Sequence, residues 1–340
     1  MEKLKKMMGL RTLKTALGAA LAIFLSQKLG LSYAVNSAII VILSVQTTKR
    51  KSRDLALMQL GSTVLALFVG SVTFRLVGFT PWAFGIYLLI FIPLAVKLKF
   101  HDGIVPCSVL VSHLLAVESV AWAWLGNEMM QMVIGAGIGF LLNLQMPSEE
   151  KKLRANIEEI EKLMGELLLQ MADHFQGRQR PENEEKLHRT LEKKLQQTQE
   201  LALREAGNHF TRDLSGYAQY VEMRMGQQQI LKYMRKYARK GYRRTKQADM
   251  IAQLIQHVAA ELNALVVHEE VRQEIECYRN ALKQEALPQT LEELECWASL
   301  DEFVRDLEYL LELKRDFVES LDSQNRESLW KPLEEIHSAA

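Results

Sequence analysis

The sequence has 340 residues, with 42 Lys/Arg against 41 Asp/Glu and 24% charged side chains, and its mean hydropathy is −0.07; such averages would suit an ordinary soluble protein. Cut after Pro147, the two parts diverge: residues 1–147 hold 13 basic and 5 acidic side chains, the remainder 29 and 36. The near-neutral whole is thus an apolar, basic part followed by a polar, acidic one, which excludes a uniform soluble domain and predicts two domains, 1–147 and 148–340.

The chain opens on a basic flank and an apolar core, as a signal peptide does, and Ser32-Tyr33-Ala34 offers a weak cleavage pattern. Similar stretches follow, so the first reads better as a start-transfer helix. Apolar runs lie near 15–30, 34–47, 58–77, 82–98, 104–125 and 129–146. Most approach the ~20 residues a helix needs to cross ~30 Å of hydrocarbon, which predicts a bundle of six transmembrane helices. The second run is short, through a misplaced boundary or as a half-helix of the kind that transporters use near their sites.

Charge orients the bundle. Lys3, Lys5, Lys6, Arg11 and Lys14 precede or open the first helix, Lys49, Arg50, Lys51 and Arg53 follow the second, and Lys97 and Lys99 follow the fourth. The alternate turns, Gly30–Tyr33, Val77–Trp82 and Trp122–Asn127, carry no charge. The positive-inside rule therefore puts both termini in the cytoplasm of a plasma-membrane protein, with Trp82, Trp122 and Trp124 in an outer aromatic belt.

Within the runs, small residues recur at helical spacing. Thr15, Ala19, Ala22 and Ser26 share one face, as do Gln59, Ser62, Ala66, Gly70 and Thr73, and Gly135 and Gly139 form a G-x-x-x-G seam with Asn143 one turn on. Such faces let helices pack closely. His113, Glu118 and Arg75 are ionisable groups at membrane depth, which usually face a wet cavity or a partner. Arg75 has a second reading as an outward snorkel and His113 as a packing residue. Asn36, Ser37 and Ser44 add a polar stripe to the second helix.

From Glu149 the pattern is helical throughout. Leu153, Ile157, Ile160, Met164, Leu167, Met171 and Phe175 form one apolar stripe. Helices are expected over about 182–206, 214–241 and 247–287, the last with a break near 267–269. Thr290 and Glu293 read as a capping box opening a final helix with Lys314 as the polar interruption of its stripe. The segment 232–246 is rich in Lys and Arg without an acid. A solvated face paired with acidic helices, contact with anionic lipid, and a basic vestibule for anions all fit it. The fold class is therefore all-α: six transmembrane helices, then an antiparallel helical bundle.

Cys107, Cys277 and Cys296 form no C-x-x-C pair, which argues against a disulfide framework or a zinc site. No catalytic constellation, metal ligand set or nucleotide loop stands out, and a nucleic-acid partner fits poorly with an acidic, membrane-tethered tail. The expectation is a non-enzyme without a cofactor.

Several features together resemble the aromatic acid exporter family of the fusaric-acid-resistance-like superfamily. These are the entry Leu10-Arg11-Thr12-Leu13-Lys14-Thr15, the run Gln46-Thr47-Thr48-Lys49-Arg50, Gln59-Leu60-Gly61-Ser62-Thr63, Asp102-Gly103-Ile104-Val105, and Asn143-Leu144-Gln145-Met146-Pro147 before a charged helical tail. The resemblance implies efflux of aromatic carboxylates or related organic anions, driven by the membrane potential or by protons. Kinship with plant malate channels keeps a passive anion channel open, and a membrane-anchored scaffold with a partner-binding tail is the opposing class. Candidate pathway residues are His113, Arg75, Glu118, Asn36, Ser37, Ser44 and Asn143, with Lys49, Arg50, Lys51, Arg53, Lys97 and Lys99 as a basic cytoplasmic mouth. The G-x-x-x-G seam and the tail stripes suggest a homodimer within the lipid bilayer.

Overall fold

The computed structural model describes residues 10–178, 181–210, 214–238, 246–262, 269–284 and 288–321. These form twelve α-helices and one 3-10 turn. The chain divides into two compact units, Met1–Pro147 and Ser148–Ala340.

The first unit holds α1 (Leu10–Lys28), α2 (Val35–Ser44), α3 (Lys49–Val77), α4 (Pro81–Lys97), α5 (Ile104–Ala116) and α6 (Trp122–Leu144). Two of them, α3 and α6, are long and apolar enough to cross a membrane. Helices α2 and α5 have 10 and 13 residues, about 15 and 20 Å at 1.5 Å per residue. The second helix is therefore short in fact, and the chain leaves it through the extended backbone of Val45 and Thr48. Many large apolar side chains face outward, among them Leu76, Leu89, Trp82 and Trp122, whereas Ser37, Ser44, Gln59 and Glu128 are buried. An apolar exterior with polar side chains enclosed in the core departs from the ordinary soluble pattern.

Two boundaries differ from the sequence reading. Lys49–Arg53 is the first turns of α3 rather than a loop, because the Thr48 hydroxyl accepts from the Lys51 N–H and starts the helix there. The run 104–125 is no single helix: α5 ends at Ala116, and α6 already begins at Trp122. Glu118, placed in a helix by the sequence reading, sits in the turn between them with a left-handed φ of 49°.

Gly135 and Gly139 are spent inside the chain. A Cβ on Gly135 would stand 2.5 Å from Ile40 Cβ, and one on Gly139 2.6 Å from Ser44 Cβ. Their glycines let α6 approach α2 at backbone distance. This seam thus offers no free face to a second copy.

The second unit packs α7 (Glu150–Phe175), α8 (Pro181–Asn208), α9 (Ser215–Ala238), α10 (Lys246–Glu261), α11 (Glu269–Lys283) and α12 (Leu291–Ser320). The region 247–287, read with a break near 267–269, contains two helices, α10 ending at Glu261 and α11 beginning at Glu269. Thr290 caps α12 by accepting from the Glu293 N–H at 3.2 Å. The α7 stripe from Leu153 to Phe175 is buried in one core with Leu300, Phe303, Val304 and Leu307 of α12. Each such side chain contributes roughly 1.5–3 kcal/mol by leaving water. Here too the stripes are consumed within the bundle.

Of the basic segment, Lys232 pairs with Glu192 at 3.2 Å and Arg235 with Glu185 at 2.7 Å, both on α8. Arg239, Lys240, Arg243 and Arg244 lie outside the described residues.

Candidate functional site

The first unit contains two buried polar layers. The first centres on His113, in the last turn of α5. Its Nδ1 stands 3.0 Å from Glu128 Oε2, and its Nε2 stands 2.8 Å from the Asn36 amide nitrogen. Glu128 is wholly buried, while His113 keeps 13% of its side-chain surface exposed. A neutral imidazole satisfies both contacts, Nδ1–H donating to the carboxylate and Nε2 accepting from Asn36. A charged imidazole donates from both nitrogens, so Asn36 must then turn its oxygen toward Nε2.

Around this pair the α1–α2 connection is tied to α6. Asn127 accepts from the Ser32 N–H at 2.8 Å and donates to the Ser32 carbonyl at 3.2 Å. Gln131 Nε2 donates to the same carbonyl at 2.6 Å, leaving its buried Oε1 without a partner. Asn127 also donates to Glu128 Oε1 at 3.0 Å. Tyr33 lies flat on the His113 ring, centroids 4.3 Å apart and planes 10° off parallel. It holds a left-handed φ of 59° and remains 44% exposed, so the phenol lies over the imidazole as a partly solvated cover.

The second layer lies six residues back along α5, about 9 Å at 1.5 Å per residue. Cys107 Sγ is 3.3 Å from Thr63 Oγ1 and reaches the Gln59 carbonyl. Ser44, at the end of α2, donates to Gln59 Oε1 at 2.8 Å. Asn143 donates to Ser52 Oγ at 3.0 Å. Leu110 and Val111 of α5, Ala66 and Gly70 of α3 and Ala136 of α6, all buried, belong to the apolar stretch between the layers.

Of the residues proposed from sequence, Asn36 and His113 meet. Ser37 lies nearby on α2, accepting from the Ser26 hydroxyl at 2.9 Å and donating to the Ala34 carbonyl. Ser44 and Asn143 belong to the second layer. Arg75 is exposed in the last turn of α3, and Glu118 is exposed in its turn, so neither joins the cluster. Lys51, Arg53, Lys97 and Lys99 are exposed, and Lys49 and Arg50 half-buried. Lys14 has a local task, its ammonium donating to the Gln145 carbonyl at 2.9 Å at the C-terminal end of α6. The sequence reading missed Glu128, Asn127, Gln131 and Tyr33. Among the described residues no group of three or more His, Cys, Asp or Glu is placed to hold a metal.

An apolar-faced helical unit with ionisable groups closed inside it, followed by a polar helical tail, has the build of a membrane transport protein. The comparisons give that class its family. Residues 6–146 match "Aromatic acid exporter family member 1" and residues 150–315 match "Putative aromatic acid exporter C-terminal domain". The chain is also 31% identical over 316 residues to the uncharacterized protein YqjA of Bacillus subtilis (strain 168), covering 91% of this chain and 96% of that protein. The chain belongs to the aromatic acid exporter family.

Proposed function

We propose that the protein exports aromatic carboxylates or related organic anions through its first unit, whose six helices all traverse the bilayer with both termini in the cytoplasm. The observation that carries this reading is the His113–Glu128–Asn36 network, buried among apolar helices and covered by Tyr33. Ionisable side chains at such depth are expensive and are retained for transport or relay tasks. Helices α2 and α5, too short for a regular span, carry Asn36 and His113 of this network, as interrupted helices do in carriers. Export of one negative charge gains ~2.3 kcal/mol per 100 mV of inside-negative potential, and the imidazole–carboxylate pair supplies a place for a proton. Exposed Lys51, Arg53, Lys97 and Lys99 raise anion concentration at the inner mouth.

The test is benzoate flux in proteoliposomes under an imposed potential, with dicarboxylates and chloride as comparisons. Directed, potential- or proton-dependent benzoate movement supports the reading. Absence of anion flux with correctly inserted protein overturns it. Orientation has its own test: in a background lacking Cys277 and Cys296, Thr80→Cys and Glu118→Cys react with impermeant maleimide from outside intact cells. Lys51→Cys reacts only after permeabilisation. External labelling of Lys51→Cys reverses the topology.

A further inference from the structure

The His113 ring is engaged at its edges. Its Nδ1 lies 3.0 Å from Glu128 Oε2 and its Nε2 2.8 Å from the Asn36 amide nitrogen, so contacts from α6 and α2 fix the plane of the imidazole. What remains for a ligand is a flat surface of set orientation. Tyr33 covers one face of it, with centroids 4.3 Å apart and planes 10° off parallel. Trp124 stands to the side, its ring centroid 6.5 Å from that of Tyr33 and its plane tilted by 45°. The space over His113 therefore admits an aromatic ring, because one already fills it.

That ring is held by little besides the stack. The backbone around it is pinned: the Ser32 N–H donates to Asn127, and the Ser32 carbonyl accepts from Asn127 and Gln131. The Tyr33 carbonyl accepts from the Asn36 N–H at 3.0 Å. By contrast, the Tyr33 hydroxyl has no hydrogen-bond partner among the described residues, and the residue is 44% exposed. Nor does the local backbone call for an aromatic residue. Tyr33 has a left-handed φ of 59°, which glycine adopts without strain and bulky residues rarely take. Rotation about χ1 can carry the ring off His113 while the α1–α2 connection stays in place. An incoming ring of the same size restores the stack it displaces, so the exchange costs little.

We infer that the face of His113 under Tyr33, walled by Trp124, is a subsite for the aromatic ring of the transported anion, and that Tyr33 is its resident competitor. The inference rests on the exporter reading above and adds the group that reads the ring. A saturated ring of similar size and equal charge lacks the flat π-face that stacks on an imidazole. The subsite thus selects aromatic over alicyclic carboxylates. Return of Tyr33 to His113 expels the bound ring, which favours release over retention.

The experiment uses the full-length protein in nanodiscs, with benzoate and cyclohexanecarboxylate as probes. Binding affinity is one readout, and the fluorine resonance of 3-fluorotyrosine incorporated at position 33 alone is the other. Benzoate is expected to move that resonance from a stacked to a solvated environment, and cyclohexanecarboxylate to leave it in place. Tyr33→Ala removes the competitor, so benzoate affinity is expected to rise about two- to tenfold, the worth of one aromatic pair. The rise for cyclohexanecarboxylate is expected to be smaller. Tyr33→Phe keeps the ring and is expected to bind both probes as wild type does. If Tyr33 instead helps to hold the ligand or merely packs, Tyr33→Ala weakens benzoate binding or leaves it unchanged, and either result overturns the subsite. A resonance that saturating benzoate does not move overturns it as well, whether or not the alanine variant folds. An equal rise for the two probes means that any apolar ring fills the gap, and overturns recognition by stacking. In each of these cases benzoate still binds and the exporter reading stands. A wild type that neither binds nor moves benzoate overturns both.

Discussion

Each unit encloses at least one pair of a basic side chain and a carboxylate, and two of these, Arg224–Glu161 in the tail and His113–Glu128 in the first unit, are built differently. In the tail, Arg224 and Glu161 are almost wholly enclosed, at 1% and 2% side-chain exposure. Arg224 donates from all three of its nitrogens: Nε to Tyr220, Nη1 to Gln227, and Nη2 to Glu161 and to the Leu262 carbonyl. Lys314 donates to the same carbonyl at 2.8 Å, and Gln227 to that of Leu310. Burial alone would pull the guanidinium down, but Tyr220 and Glu161 outweigh it and hold the group above its ordinary value. One network thus fixes α7, α9, α12 and the end of α10. In the first unit, His113 keeps some exposure, its cover Tyr33 is strained and half-open, and Gln131 has a spare acceptor. The pair in the tail is saturated with partners, whereas the pair in the first unit keeps a spare acceptor beside it and a partly exposed cover.

The largest effect that tests this contrast is in the tail. Arg224→Met leaves Glu161 buried without its cation, which costs about 3–5 kcal/mol. Urea unfolding of a fragment of residues 148–340, followed by helical circular dichroism, measures it. The fragment itself is expected to be almost wholly helical. A loss under about 1 kcal/mol would mean that the pair is no more than a surface contact in energetic effect. Adding Glu161→Leu should recover part of the loss.

Next comes Glu128→Gln in the first unit. The amide keeps the shape and an acceptor for the His113 N–H, so stability is expected to change by less than about 1.5 kcal/mol, the worth of one hydrogen bond. Benzoate efflux is expected to fall tenfold or more. Unchanged efflux with a loss of stability matching Arg224→Met would make the two pairs alike and remove the contrast. Tyr33→Ala gives a smaller effect. It removes a ring stack worth about 0.5–1.5 kcal/mol, and the expected result is a several-fold faster leak of benzoate through liposomes. An unchanged leak would show that Tyr33 does not cover the pair.

How much of this could be read from sequence follows from range. The six helices of the first unit announce themselves as apolar runs, and the small-residue faces show where they meet. The α5–α6 boundary was hidden because Val117, Val120 and Ala121 are apolar, so composition ran on where the backbone turned at Glu118. Glu128 was overlooked for a related reason: it sits just before the run 129–146 and reads as loop. A signal was available, since Asn127, Glu128 and Gln131 fall within one turn of an otherwise apolar α6. What no spacing reveals is that Glu128 meets His113 across a helix break, or that Tyr33 folds back upon it. In the tail, the stripes and the Thr290 cap were legible because both are local. The role of Lys314 was not, because its partner is a carbonyl 52 residues away.

The smallest expected effect bears on whether every charge in the tail is placed for stability. Asp306, half-buried on α12, has its carboxyl pushed up, first by burial and then by the Glu302 carboxylate one turn earlier. Tyr237 on α9 is raised as well, by burial and by the fields of Asp306 and Glu302, so this patch is locally over-supplied with negative charge. Arg305, the adjacent cation, is engaged with Asp301 at 2.7 Å and reaches Glu302 at 3.7 Å. A carboxyl whose folded value lies above its unfolded one binds protons more tightly when folded. Stability therefore falls as pH rises from the unfolded value through the folded one, and the penalty is complete at neutral pH. Asp306→Asn removes it. The variant is expected to be more stable than wild type at pH 7 by less than about 1 kcal/mol, the range for solvent-screened charges, and to lose that advantage near pH 3, where Asp306 is protonated in both states. Urea midpoints of the tail fragment at the two pH values measure the difference. A variant less stable than wild type at pH 7 would mean that Asp306 makes a favourable contact outweighing its burial, and would extend to the surface of the tail the saturation seen at Arg224.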